Sequence, residues 1–244
     1  MRIMLAGWRR ASKPLPRVVV SDTDATALER LCAEFPFITA TGDNREAAMQ
    51  GIVFLALHPP AIGGALAEIR GSLPAGSVLV SLAPKWTAGK IGEALGGFDR
   101  VVRVIPNAPS IVNKGYNPAS FSSSLAASDR ARVLALLAPL GACPEVPEAT
   151  LEAYAIVAAM GPTYLWYQLY QLVDLGCQFG LARESAAAAV AAMLDGTRAT
   201  MAEAGLSPEG VMDLIPVKPL AEMEAHVSDI YRTRLPAIYQ KIKP

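Results

Sequence analysis

The chain has 244 residues, 52% apolar and 18% charged, enough for one large core or two smaller ones and too hydrophobic for a disordered polymer. Its 22 basic and 22 acidic residues cancel, so it lacks the basic footprint that DNA, RNA or an anionic membrane surface requires. Three distant cysteines, Cys32, Cys143 and Cys177, give neither a disulfide framework nor a metal-ligand spacing, and read as core thiols of a reducing, cytoplasmic protein without a metal site.

Met1–Arg10 places Met4, Leu5 and Trp8 on one helical face, with Pro14 and Pro16 expected to end the helix. The rival reading makes Met1–Ala6 a strand. It leaves only 11 residues, Gly7 to Arg17, before the next strand, too few for a helical crossover. Arg9 and Arg10 follow the first apolar residues rather than precede them, and no small-residue cleavage site comes after, so an export signal is not expected.

From Arg17 the sequence alternates short β-branched runs with helical patterns, the signature of a parallel sheet with crossover helices. Strands are expected at Arg17–Ser21, Ile52–Leu57, Ser77–Leu82 and Arg100–Ile105. Helices are expected at Asp24–Phe35, with Asp24 a candidate N-cap, and at Ala61–Gly71 and Ala88–Leu95. Ser120–Ser124 reads as a polar loop. After about residue 148 strand signals vanish, and Ala, Leu, Met and Tyr dominate with Gly punctuation. The expectation is an α/β Rossmann-like domain over residues 1–148 and an all-helical domain over 149–244. The apolar stretch Leu151–Leu175 is broken by Glu152, Gln168, Gln171 and Asp174, so it reads as a buried helix rather than a membrane span. Trp166, Tyr167 and Tyr170 share a helix face and read as core or dimer-contact residues, whereas Asp195, Arg198 and Glu203 read as a solvated face and His226 has no evident partner. The long apolar segment Leu151–Met201 points to a homodimer.

Parallel sheets bind ligands beyond the carboxyl ends of their strands, so the residues just after each apolar run carry the chemistry. The first run ends in Ser21-Asp22-Thr23-Asp24. An acidic residue there holds the adenosine ribose hydroxyls and repels a 2′-phosphate, which favours NAD over NADP; the alternative is that Asp22 or Asp24 only caps the helix. The other runs end in Ala56-Leu57-His58-Pro59-Pro60, Leu82-Ala83-Pro84-Lys85 and Ile105-Pro106-Asn107-Ala108-Pro109. His58 is a candidate proton donor in a turn, where a solvated His is the plainer reading.

The segment Val53-Phe-Leu-Ala-Leu-His-Pro59, then Arg100-Val-Val-Arg-Val-Ile-Pro-Asn-Ala-Pro109, then Gly161-Pro162-Thr163-Tyr164, resembles in order the F-L-A-V-K-P, R-V-M-P-N-T-P and G-P-A-Y segments of the pyrroline-5-carboxylate reductase family. The resemblance runs from about Arg17 to Gly210. It implies that Ala56, Leu57, His58, Pro59 and Asn107 lie near the nicotinamide end of an NAD or NADP cofactor, that Asn44 lies near the adenosine, and that Gly161 and Pro162 belong to the substrate side. His58 stands where the family has Lys.

The chain departs from that family at two places. The family's first strand and glycine-rich phosphate loop have no counterpart, so Met1–Arg10 reads as the tail of the helix that follows such a loop, and weak cofactor binding is expected. At the substrate end, the family's S-P-G-G-T-T loop falls on Val217-Lys218-Pro219-Leu220-Ala221-Glu222, which keeps no glycine or hydroxyl. Lys218 can still pair with a substrate carboxylate. The family's S-G-S-G-P is Ala158-Ala159-Met160-Gly161-Pro162 here.

The expected function is hydride transfer between a nicotinamide cofactor and a small imine or carbonyl substrate, with His58 and Lys218 in catalytic roles. Two alternatives stand beside it: a non-catalytic paralogue that keeps the fold and the helical dimer, and a different oxidoreductase of the superfamily, such as a deazaflavin-dependent one.

Overall fold

The computed structural model describes residues 1–12, 15 and 17–244, so the expectation that Pro14 and Pro16 end the first helix falls outside the described residues. The chain divides into two compact units, Met1–Met160 with Ile238–Pro244, and Gly161–Ala237.

Met1–Arg10 forms a helix, α1 (Arg2–Arg10), with Met4, Leu5 and Trp8 buried, and not the rival strand. The alternation follows as β1 (Val18–Ser21), α2 (Ala25–Glu34), β2 (Ile38–Thr41), α3 (Asn44–Ala48), β3 (Ile52–Leu55), α4 (Pro59–Ile69), β4 (Val78–Ser81), α5 (Ala88–Ala94) and β5 (Val101–Val104). The four expected strands and three expected helices stand within a few residues of their sequence positions. Asp24 caps α2 by accepting a hydrogen bond from the Ala27 N–H at 3.0 Å. β2 and α3 carry too little periodicity to announce themselves, since only Ile38 of β2 is buried.

β6 (Gly115–Tyr116), β7 (Ala119–Phe121), α6 (Ala127–Leu137), β8 (Gly141–Ala142) and α7 (Leu151–Tyr154) complete the first unit, the last running into a π-helical turn at Ala155–Ala159. The expected polar loop at Ser120–Ser124 is corrected at its start. Ala119 and Phe121 are buried around Ser120, and this period-two pattern pairs antiparallel with β5, Arg103 opposite Ser120.

The strands form two separate main sheets. Among the described residues β1 pairs only with β2, in parallel, and the second sheet runs β3-β4-β5-β7. Alternate residues of a strand point to opposite faces. Val78 and Val80 thus join α1 and α6 in one core, with Trp8, Leu137 and partly buried Phe54, while Leu79 and Leu55 join α4 and α5 in another, with Ile62, Leu66 and Ile91. A third cluster packs Ile105 against Leu151 and Ala155. That cluster carries residues 149–160 with the first unit, so the structural break lies past the compositional shift near residue 148.

The second unit contains α8 (Gly161–Gln178), α9 (Arg183–Glu203), α10 (Pro208–Met212) and most of α11 (Ala221–Ile242). α8 and α9 meet where Gly176 faces Ala186, at a distance that a Cβ on Gly176 would close to 2.9 Å, and Arg183 pairs with Asp174 at 2.9 Å. Among the described residues no helix is long and apolar enough to cross a membrane, and no group of acidic, His and Cys side chains is arranged to hold a metal ion. Cys32, Cys143 and Cys177 are free and half-buried, and burial raises the Cys143 thiol to about 11.

Candidate functional site

Parallel pairing aligns the carboxyl ends of β3, β4 and β5, and the ends of β1 and β3 open on one cleft of about 890 Å³. At the end of β1, Asp22 is exposed and accepts the Asp24 N–H at 3.0 Å. Asp24 is consumed as the cap of α2. Both carboxylates are exposed, and of the two Asp22 lines the cleft. Ser21 Oγ lies 2.8 Å from Asn44 Oδ1, and Asn44 Nδ2 donates to Glu68 Oε2 at 2.5 Å, so Asn44, the first residue of α3, bridges the end of β1 to α4.

At the end of β3, Ala56 and His58 are exposed while Leu57 and Pro59 are half-buried. His58 is the N-cap residue of α4 but makes no side-chain cap. The prolines Pro59 and Pro60 take the first helical positions, where a missing N–H costs nothing. Among the described residues no hydrogen bond holds the imidazole, so it projects from a rigid turn.

Beyond β5, Asn107 is 9% exposed and fully engaged. Its N–H donates to Asn117 Oδ1 at 3.2 Å, its Nδ2 to the Ala158 carbonyl at 3.4 Å, and its Oδ1 accepts the Tyr116 N–H at 3.0 Å. Ser110 Oγ donates to the same Asn117 oxygen at 2.9 Å. Asn107 thus locks the β5 turn to β6 and to the π-helical turn after α7.

The sequence reading passed over a buried ionic cluster directly behind these strand ends. Arg103 of β5, 1% exposed, places its two terminal nitrogens 2.6 Å from Glu152 and 3.2 Å from Glu148. It also donates to the Ala83 carbonyl at 3.4 Å, and Glu148 accepts the Ala88 N–H at 2.7 Å. The cluster therefore ties the end of β4, the start of α5 and α7 together. The signal was present as a charged residue inside the apolar run R-V-V-R-V-I, since a buried cation needs a carboxylate partner.

Lys218, Gly161 and Pro162 belong to the second unit. Lys218 is exposed and pairs with Asp213 at 2.9 Å, a hydrogen bond that raises its pKa above the usual lysine range. Gly161 and Pro162 open α8 and are half-buried. Trp166, Tyr167 and Tyr170 are 47%, 65% and 63% exposed, so they are not core within this chain.

Comparison with known proteins agrees with this architecture. The family profile described as NADP oxidoreductase, coenzyme F420-dependent, matches residues 2–85. Pyrroline-5-carboxylate reductase of Corynebacterium melassecola is 32% identical over 170 residues, 68% of this chain and 63% of that protein. The chain thus spans less than two thirds of that relative. The Escherichia coli enzyme of the same name is 24% identical over 88% of this chain and 80% of its own. In fold, the crystal structure of Plasmodium falciparum pyrroline carboxylate reductase with NADP bound superposes with a TM-score of 0.81 at 21% identity, covering 99% of this chain and 93% of that one. In sequence the chain is similar to pyrroline-5-carboxylate reductases, and in fold it is similar to the solved structure of one.

Proposed function

We propose that the protein transfers a hydride between a nicotinamide dinucleotide and a small imine or carbonyl compound, and that it prefers NAD to NADP. The observation that carries this reading is the exposed carboxylate of Asp22 at the end of β1, which lines the cleft beside the bonded pair Ser21 and Asn44. A carboxylate there accepts hydrogen bonds from ribose hydroxyls and repels a 2′-phosphate. Of the four arginines that line the cleft, Arg2, Arg17 and Arg132 lie against Glu34, Glu46 and Asp129, and Arg30 is the one with no carboxylate partner among the described residues.

The strand ends fit the ribose and nicotinamide portions of such a cofactor, and the Ser21–Ala25 junction, without a glycine, offers no close cradle for its pyrophosphate. When bound, the cofactor supplies the hydride. The exposed carbonyl-bearing turn Ala56–His58 orients the nicotinamide end, while Asn107 acts indirectly by fixing the β5 turn. The His58 imidazole gives a proton to the nitrogen or oxygen of the reduced double bond. In the second unit, Lys218 exchanges Asp213 for a substrate carboxylate, and the apolar face that includes Tyr167 and Tyr170 pairs with a second copy.

Fluorescence titration with NADH and NADPH tests the reading. NADH binds more tightly, and Asp22→Ala narrows the difference. Equal or reversed affinities remove Asp22 from the ribose, and absence of binding by either cofactor defeats the proposal.

A further inference from the structure

The turn that leaves β4, Leu82-Ala83-Pro84-Lys85, takes no part in the proposed chemistry, although β4 is the strand between β3 and β5. Leu55, Ser81 and Arg103 form one row across these three strands. His58 stands three residues beyond that row, and Lys85 and Asn107 four, so the turn of Lys85 follows the strand flanked by the one that leads to His58 and the one that leads to Asn107. Adjacent strands lie about 4.8 Å apart, a spacing that the stem of a lysine spans. Lys85 does not line the cleft at the ends of β1 and β3.

Lys85 has a φ of 71°, in the left-handed region that a residue with a Cβ enters at a cost. Among the described residues two other non-glycine residues share that region: Ser12, just past the end of α1, and Asn113, whose short amide tolerates it. Lys85 instead occupies a strand-end turn in which glycine would be relaxed. Both flanks of the turn are pinned. The Ala83 N–H donates to Ser81 Oγ at 3.4 Å, and the Ala83 carbonyl accepts from Arg103 at 3.4 Å. On the other side Trp86 packs over Gly63 of α4, Thr87 caps α5 by accepting the Lys90 N–H at 3.1 Å, and Glu148 accepts the Ala88 N–H at 2.7 Å. A strained residue held by such surroundings is a feature of binding and catalytic sites, where the side chain placed there has a task.

The Lys85 side chain is exposed, and among the described residues it meets no carboxylate and makes no hydrogen bond. It is the one Lys, Arg, Asp or Glu in the stretches 56–59, 82–87 and 105–109. The charge of Arg103 behind them is answered by Glu148 and Glu152. Binding an anion costs Lys85 no existing partner, whereas Lys218 must first release Asp213.

We propose that Lys85 is a specificity-determining residue that binds the substrate by a carboxylate, so that the site takes small imino or keto acids in preference to their amides. The inference rests on the hydride-transfer reading and narrows its substrate, and it assigns a role to a residue to which the family resemblance gives none. The ammonium donates hydrogen bonds to the carboxylate from the end of β4, while the double bond lies toward His58 at the end of β3.

The test reads Lys85 directly. The 244-residue chain, in the presence of NADH, is acetylated with a limiting dose of acetic anhydride, and peptide mass spectrometry gives the extent of labelling at each lysine. Pyrrole-2-carboxylate, a planar cyclic acid that cannot turn over, is expected to protect Lys85, and its uncharged carboxamide is not. In calorimetry Lys85→Met weakens the acid about tenfold, Lys85→Arg keeps the charge and restores most of the binding, and the carboxamide does not distinguish Lys85→Met from the parent. Lys85→Gly relaxes the turn while removing the charge, so the same weakening there belongs to the lost charge and not to a disturbed backbone. In steady-state oxidation of NADH, Lys85→Met raises KM for a keto acid and leaves kcat nearly unchanged. An unprotected Lys85, unchanged binding of the acid in Lys85→Met, an equal loss in Lys85→Arg, or a loss confined to Lys218→Met overturns the proposal. Labelling and calorimetry need no turnover. Acid bound at Lys85 without oxidation of NADH supports the proposal and defeats the hydride-transfer reading, and oxidation of NADH by acids and amides alike does the reverse.

Discussion

In the first unit, Leu79, Val80, Val102 and Val104 are wholly buried. In the second, Phe179, Leu220 and Val217 are 80%, 73% and 72% exposed. The buried hydrophobic residues of the second unit are Val173 and Ala186, although α8 and α9 are rich in Leu, Ala, Met and Tyr. A sheet covered by helices on both faces finishes its own core, and four helices with their apolar side chains turned outward do not. The difference teaches that the α/β unit buries its apolar side chains within one chain, while the helical unit leaves a large share of its own exposed.

The sharpest way to break this contrast is at Arg103. Arg103→Ala leaves Glu152 buried and unpaired behind the strand ends, and about 3–5 kcal/mol of unfolding free energy is lost, measured by urea denaturation. The double variant Arg103→Met with Glu152→Leu removes the stranded charge and recovers most of the loss; no recovery would mean that the ion pair itself, not its unpaired remnant, sets the cost.

Core truncation follows in size. Leu79→Ala in β4 costs about 2–5 kcal/mol, read from the same denaturation curves. Tyr170→Ala in the helical unit instead weakens association. The melting temperature of the parent rises with protein concentration, and that dependence shrinks in the variant. Light scattering at micromolar concentration gives the mass of a dimer, and the mass of a single chain would leave the outward apolar face unexplained.

The parts of the fold that the sequence made legible are those in which one physical signal dominated. Runs such as V-V-V-S and S-V-L-V-S are strands because β-branched residues fill a pleated, two-sided core, and Asp24 reads correctly as a cap because a carboxylate before a helical pattern meets free N–H groups. β2 escaped because its exposed Thr39 and Ala40 give no apolar alternation, and β7 because its hydroxyls hid Ala119 and Phe121. At the site, Asp22, His58 and Asn107 were visible as residues that follow apolar runs. Their neighbours were not: the Arg103 cluster depends on partners 45 and 49 residues away, a separation at which no local pattern operates.

Smaller effects remain on the first unit. Asp24→Ala costs about 1 kcal/mol, seen as a modest shift of the denaturation midpoint. Burial raises the Cys143 thiol to about 11, so at pH 8 only roughly one molecule in a thousand carries the thiolate. Its alkylation by iodoacetamide, followed by mass spectrometry, is slow at pH 8 and accelerates about tenfold per pH unit up to pH 10. Fast labelling of Cys143 at pH 8 would show that the core beside it opens.

Hydride transfer is tested most directly by following NADH and NADPH absorbance with a panel of small cyclic imines and keto acids that includes pyrroline-5-carboxylate. Val217–Glu222, which the family resemblance aligns with a substrate-binding loop, keeps no hydroxyl or glycine, and a site that lacks the donors for a ligand loses on the order of 10⁴-fold in its use. The account predicts saturable, NADH-preferring oxidation with at least one panel member, weak or no turnover of pyrroline-5-carboxylate, and a fall in turnover for His58→Ala. Absence of oxidation with every panel member would contradict the function, and efficient turnover of pyrroline-5-carboxylate would contradict the weight placed on Val217–Glu222.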